Sequence, residues 1–437
     1  MNRRQFFRST SALAACGLIA PRYATGESPA ERLVLSEVGC GRATGYAEAN
    51  KIVTWQGKTH VAWLDSPPEG FRVRIRTLDH ASGTWSPTYT VGDAHDNHGG
   101  PALAIDSQGF LHIAYFPHHH PMRLKKSLRP NDASAWSEAE EVGERLTYPT
   151  LVVGQDDTLY LTCRQSSKMA PWRSLLFTKK PKGVWSEPRA LLQAEKTGYA
   201  HFMDALAWGP DGKTLHLVTR IYDGNPGQGH TVGYMKSVDR GRSWTRHDGT
   251  PIETPATAET VDIVAQSRDG ASLRAAGLTV APDGRPIVLY SDQGRTPDET
   301  WIATPGPSGW EARSLRPFLP AEYVGWDLFV PGGVTLNTEG HLFIALTTTP
   351  PSERSSQSGW GHDACEVLIM ASQDGGTTFR VKPVSEFNPD APNWLPNIER
   401  ATGHNGVTGK PGVIYTEGGR GEKNTELLAN TVHWVRM

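Results

Sequence analysis

Gln108-Gly109, followed by Leu111-His112-Ile113-Ala114-Tyr115, decides the architecture. A turn dipeptide that leads into a short β-branched or aromatic run marks a tight hairpin feeding a buried strand. The arrangement occurs seven times. Gln56-Gly57 precedes Thr59-His60-Val61-Ala62-Trp63, Asp156-Asp157 precedes Leu159-Tyr160-Leu161, and Asp211-Gly212 precedes Leu215-His216-Leu217-Val218. Asp283-Gly284, Glu339-Gly340 and Thr408-Gly409 stand before Ile287–Tyr290, Leu342–Ala345 and Val413–Tyr415. The intervals are 52, 48, 55, 72, 56 and 69 residues, each the length of one four-stranded blade. The spacing predicts an all-β chain folded as a seven-bladed β-propeller.

A second repeat interleaves with the first: Trp85-Ser86, Trp136-Ser137, Trp185-Ser186, Trp244-Thr245 and Trp310-Glu311 each follow a polar turn late in a unit. Ser237–Trp244 and Ser372–Phe379 resemble the Asp-box of BNR repeats, S-x-D-x-G-x-[TS]-[WF], a blade-edge turn that speaks for architecture and not for chemistry. Arg32–Leu35 and Thr431–Trp434 are the expected closing strands. Because each blade needs its neighbours, residues 29–437 form one expected domain.

Residues 1–28 read as a leader. Asn2-Arg3-Arg4-Gln5-Phe6-Phe7-Arg8 looks like a twin-arginine export signal, and the apolar run Ser11–Ala20 falls short of the about 20 residues that span a bilayer. The expected location is periplasmic, secreted or lipid-anchored, the last through Cys16 if Leu13-Ala14-Ala15-Cys16 is a lipobox. The other three cysteines, Cys40, Cys163 and Cys365, are an odd number, which excludes a disulfide framework. His362-Asp363-Ala364-Cys365 leaves a structural zinc or calcium ion open, with buried thiols as the plainer reading. The 44 basic and 46 acidic side chains leave a formal charge of -2, which argues against a nucleic-acid partner. No transmembrane segment is expected, and the chain is expected to be a monomer.

Propeller geometry converts sequence position into location. The seven turns share one face, so the start of each inner strand and the end of the next meet on the other. Tyr46, His98 and His201 each lie 11 residues before their hairpin glycine, and Tyr148 occupies the comparable place in the third unit. Asp65, His118-His119-His120, Arg164, Arg220, Asp292 and Glu417 end the following strands. His60, His112 and His216 recur at one place inside a strand and are expected to bond neighbouring blades; His433 is likewise a strand residue.

This rim suits eliminative cleavage of a uronate glycan. Arg offers a fixed bidentate cation for the carboxylate, which makes the C5 proton acidic. His and Tyr move protons, each worth about 10²–10⁴-fold when positioned. Hydrolysis would instead favour two carboxylates facing the bond, for which Asp65, Asp292 and Glu417 stay available.

His98-Gly99-Gly100-Pro101-Ala102-Leu103 resembles the HNxPAL segment of the BNR-4 propeller polysaccharide lyases, the ulvan-lyase group. Tyr115-Phe116-Pro117-His118 is similar to their Y-x-x-H, and Tyr148-Pro149 with Arg164, 16 residues on, to their Tyr and Arg pair. The resemblance implies His98 and Tyr148 as proton-transfer residues, Arg164 as carboxylate neutraliser, and His118, or His119, as an assisting imidazole. Tyr46, His201 and Arg220 are the further substrate-binding candidates. The implied partner is an anionic, ulvan-like rhamnose–uronate polysaccharide, and no cofactor is required. Gly99 departs from the family, which carries Asn there. The alternatives are an exo-acting rhamnosidase- or sialidase-like hydrolase and a non-catalytic carbohydrate-binding propeller.

Overall fold

A computed structural model describes residues 31–223, 230–267, 272–293, 295, 297–351, 364–388 and 390–436. The twin-arginine segment, Cys16, and His362 and Asp363 lie outside the described residues. Within them the chain is all-β, with two short 3-10 turns at Arg316–Phe318 and Ala321–Tyr323 and no α-helix. Hydrogen bonding joins the strands into five antiparallel sheets of nine, eight, six, four and four strands.

Inner and outer strands read differently because they are covered differently. Lys58–Asp65 is buried at every residue after its first, and Leu342–Thr349 along its whole length. Such strands are packed on both faces, hence their continuous apolar and threonine runs. The next strand out, Arg72–Asp79, alternates buried and half-buried residues, as one covered face requires.

All seven predicted turn residues, Gly57, Gly109, Asp157, Gly212, Gly284, Gly340 and Gly409, have a left-handed backbone, with φ between 59° and 85°. The first six close tight hairpins, such as Ile52–Trp55 with Lys58–Asp65 and Asn131-capped Ala102–Ile105 with Leu111–Tyr115. Gly409 lies in a longer connection between Asn393–Ile398 and Gly412–Glu417. Turns of different units touch: Ser107 Oγ donates to Asp157 Oδ2 at 2.6 Å, and Asn337 Nδ2 donates to the Gly409 carbonyl at 2.8 Å.

The two Asp-boxes fold alike. Ser237 Oγ and Ser372 Oγ each donate to the box aspartate at 2.7 Å and accept an amide from Gly241 or Gly376, while Trp244 is buried beneath its turn. The expected closing strands do pair: Glu31–Gly39 lies against Asn430–Arg436, with Leu33 opposite Trp434. Of the strand histidines expected to bond neighbouring blades, His60 reaches the next unit through Asn131, whereas His112 and His216 bond within their own units. His60 bonds Thr77 Oγ1 and Asn131 Oδ1 at 2.8 and 2.9 Å, His216 bonds the Tyr234 hydroxyl at 2.6 Å, and His112 bonds Asp106 at 2.9 Å.

Candidate active site

At the strand ends opposite the turns lies a cavity of about 340 Å³. Tyr46, His98, Tyr148, His201 and Arg220 all line it, as their register predicts. Two of them stand before their strands and not within them. Tyr46 and His98 ride on the loops entering Ile52–Trp55 and Ala102–Ile105, where Gly45 and Gly100 bring the loops together. A Cβ on Gly100 would sit 2.9 Å from the Gly45 carbonyl oxygen. The departure at Gly99 has a packing reason: a Cβ there would meet the Ala94 Cβ at 2.6 Å and the Phe116 carbonyl oxygen at 2.8 Å. No asparagine fits.

Tyr148 is aimed by a bulge. Strand Glu140–Val153 pairs with Leu159–Gln165, but the register shifts between Thr147 and Thr150. Tyr148 takes φ 59° there, a strained conformation for a tyrosine, and the bulge turns its ring toward the cavity. Its ring centroid lies 6.0 Å from His98, 4.8 Å from Tyr46 and 4.9 Å from His201.

Arg164, buried on the paired strand, holds its guanidinium carbon 4.6 Å from the Tyr148 ring centroid and 4.9 Å from that of Trp172. His98, Tyr148 and Arg164 thus converge although far apart in sequence. Arg164 stands behind Tyr148 and is not itself a lining residue; its Nε and Nη1 are buried without hydrogen-bond partners.

Asp96 organises the imidazoles. One carboxylate oxygen lies 3.1 Å from His98 Nδ1, the other 2.6 Å from His118 Nδ1, and the two rings stack 3.8 Å apart. Arg42 Nη1 donates to His98 Nε2 at 2.5 Å and to the Tyr46 hydroxyl at 2.5 Å. Since an arginine only donates, Nε2 carries the lone pair and Nδ1 the proton of His98. His118 and His119 sit behind His98, outside the cavity lining, with His119 Nδ1 2.7 Å from Ser166 Oγ.

Burial sets the protonation states. It holds the His98 imidazole neutral, with its pKa pushed down to about 3, although Asp96 pulls the other way. Burial also raises the Tyr148 phenol; Arg164 favours ionisation but does not outweigh the loss of water. His201 is pushed well below the usual range by burial and by Arg220.

Asp96, His98 and His118 could present three ligand atoms within 4.8 Å of one another to a metal ion. Both rings already bond Asp96 through Nδ1, and Arg42 donates to Nε2 of His98. A shared carboxylate between two imidazoles describes this cluster better. Cys40 and Cys163 are buried free thiols, and Cys365 is buried against Trp394 and Leu395.

Several lining residues escaped the sequence reading, among them Arg42, Glu48, Tyr199, Tyr222, His230 and Arg274. Arg42 and Glu48 flank Tyr46. Arg274 lies on Leu273–Val280, 10 residues before Gly284, one place off the register that marks Tyr46, His98 and His201, so the register held its signal. The candidate carboxylates lie elsewhere: Asp65 accepts from Trp63 Nε1 at 2.6 Å, Asp292 pairs with Arg295 at 2.8 Å, and Glu417 bonds His433 at 2.5 Å. Glu48 is the only carboxyl group among the described lining residues.

The model of the BNR repeat-containing family matches residues 58–316, more than half of the chain. The chain belongs to the BNR repeat-containing family. It is 22% identical to an ulvan lyase, PL25, of Pseudoalteromonas sp. (strain PLSV), over 81% of this chain and 82% of the relative. It is 23% identical to an ulvan lyase of Alteromonas sp. (strain LOR) over 47% of this chain, and there it spans 50% of the relative's length. A solved PL25 ulvan lyase bound to -[GlcA(1-4)Rha3S]- superposes with a TM-score of 0.69 at 15% identity, covering 92% of this chain and 95% of the other. This BNR-repeat chain therefore shares that enzyme's fold.

Proposed function

We propose that this protein is a polysaccharide lyase that cleaves an ulvan-like rhamnose–uronate glycan by β-elimination. One observation carries the reading: the cavity gathers His98, Tyr148 and arginines around a single carboxyl group, Glu48. Glycoside hydrolysis by two facing carboxylates has no pair to work with among the described lining residues. The relatives named as ulvan lyases support the same substrate class.

The reaction follows from the protonation states. Neutral His98, its Nδ1–H held by Asp96 and its Nε2 lone pair covered by Arg42, removes the C5 proton once the incoming uronate draws Arg42 aside. Tyr148, kept as the phenol by burial, protonates the leaving O4. Arg164, with two N–H groups unbonded against the Tyr148 face, supplies the cation for the C6 carboxylate as the substrate parts the covering rings. For a uronate epimer that presents its C5 proton from the other side, the two roles exchange.

The proposal extends to architecture and place. The seven-bladed reading is supported by the sheet order: dividing the nine- and eight-stranded sheets at the joins between successive hairpin units would leave seven units, one for each repeated turn. The twin-arginine segment would export the chain to meet a polymer outside the cytoplasm.

Absorbance near 235 nm, from the unsaturated uronate product, is the test on ulvan. A rise supports the lyase. New reducing ends without that absorbance would mean hydrolysis, and binding without either would mean a carbohydrate-binding propeller.

A further inference from the structure

Glu48 lines the cavity yet is only 4% exposed, and its Oε1 is buried without a hydrogen-bond partner. A buried acceptor left bare is costly, and a donor that arrives with a ligand removes the cost.

The loop that carries Glu48 is fixed. Four successive carbonyls on it accept hydrogen bonds. Tyr46 and Ala49 accept from Asn397 Nδ2 at 3.1 and 3.0 Å, Ala47 from Arg400 Nη2 at 2.5 Å, and Glu48 from Thr150 Oγ1 at 3.5 Å. The donors stand on or beside strands Asn393–Ile398 and Glu140–Val153, so two distant units hold the loop. The neighbouring cations are occupied: Lys51 Nζ donates to the Pro101 and Ala49 carbonyls at 2.9 and 3.4 Å, and Arg400 Nη2 to Ala47. A side chain on so pinned a backbone is set to meet a donor from the cavity.

The chemistry of that donor follows from the substrate. A carboxyl oxygen repels another carboxylate but accepts from a hydroxyl. Elimination uses the C5 proton and the bond from C4 to the leaving oxygen, and C1 carries the next glycosidic bond. A uronate inside a chain therefore keeps free hydroxyls only at C2 and C3. Tyr46, two residues before Glu48, holds its ring 4.8 Å from Tyr148 and 6.1 Å from His98, so this loop borders the reacting sugar.

We propose that Glu48 is a specificity-determining residue that accepts a hydrogen bond from the C2 or C3 hydroxyl of the uronate being cleaved. The proposal deepens the lyase reading and rests on it. It requires a free hydroxyl at that carbon. A substituent there removes the donor and must also fit against a fixed wall.

The experiment is a double-mutant cycle between protein and substrate. Native protein and Glu48→Ala are compared on a synthetic rhamnose–glucuronate oligosaccharide and on analogues lacking the C2 or the C3 hydroxyl of the glucuronate. The readout is kcat/KM at 235 nm above pH 7, where Glu48, its pKa raised by burial to about 7, is ionised. The native protein is expected to cleave one analogue roughly 10- to 100-fold less well, the worth of a hydrogen bond to a charged group. Glu48→Ala should lose a similar factor on the parent substrate and little more on that analogue, because both changes delete the same contact. Glu48→Gln keeps an acceptor oxygen and should fall between the two; it carries the cycle if circular dichroism shows that Glu48→Ala does not fold.

Equal cleavage of the parent and both analogues by the native protein would overturn the proposal. So would losses that simply multiply, which would leave Glu48 a structural part of its loop. If no substrate yields unsaturated product, the lyase reading falls by itself. The same cycle, read as Kd by calorimetric titration, then decides the contact alone: a shared loss supports it, and independent losses overturn it.

Discussion

Tyr148 shows how one residue's backbone, burial and neighbours combine. Its φ of 59° costs about 1–3 kcal/mol, which the paired strand at Arg164 and the rings around it must hold in place. Tyr148→Phe keeps the ring and removes only the hydroxyl, so product release at 235 nm should fall by at least about 100-fold with the melting temperature nearly unchanged. His98→Ala should fall comparably. Near-normal release from both variants would place the chemistry elsewhere. The same residues set the pH profile. His98, with its pKa at about 3, is already neutral throughout the range where an ordinary imidazole titrates, and Tyr148 titrates above the ordinary phenol. The kcat/KM profile should therefore show no limb near pH 6.5, and a clear imidazole limb there would contradict the assignment of His98 as a buried base.

Among the elements, the joint between chain ends is the most exacting. Strand Gly412–Glu417 packs beside Asn430–Arg436, and a Cβ on Gly412 would lie 1.9 Å from the Trp434 ring. Trp434 is itself buried and stands edge-on to Trp85, 5.5 Å away. Gly412→Ala must displace an indole at the closing strand, and should cost about 1–3 kcal/mol or more. Gly284→Ala meets nothing within 4 Å and carries only the penalty of its left-handed φ of 85°, about 1–2 kcal/mol. Urea denaturation of the two variants should rank Gly412→Ala as the less stable and show a lowered midpoint for both. The reverse order would mean that the closing strand yields easily.

For the whole molecule, buried imidazoles dominate the response to acid. Burial pushes His60 and His216 down to about 4, and His98 and His230 to about 3. The unfolded chain takes up protons as pH falls through about 6.5, while the folded one resists until about 4 or 3. Their contribution is therefore present above pH 6.5 and lost as pH falls toward 4. Glu48, raised to about 7, and Asp65 and Asp204, raised to about 6, act in the opposite sense, but they are fewer and their shifts no larger. Thermal melts followed by circular dichroism should show the melting temperature dropping steadily from pH 7 to pH 4. An unchanged melting temperature would mean that these histidines gain water or partners on protonation.

Local patterns determined much of this protein: turn residues such as Gly57 and Asp157 allow a positive φ at low cost, and apolar runs such as Leu111–Tyr115 demand burial. Repetition of those two signals placed the hairpins, the closing strands and, through a shared register, Tyr46, His98 and His201 on one rim. That His60 and His216 are bonded strand residues was legible for the same reason, whereas their partners, Asn131 of the next unit for one and Tyr234 of its own unit for the other, were not. What lies between side chains from distant strands was not legible. Only the tertiary structure stacks His118 on His98 across Asp96, turns Tyr148 inward at a bulge, and sets Arg164 behind it. Only that structure brings Arg42, Arg220 and Arg274 to one cavity. Periodicity reports which face a residue occupies, whereas a site depends on distances across a channel and on how much water the packed chain leaves there.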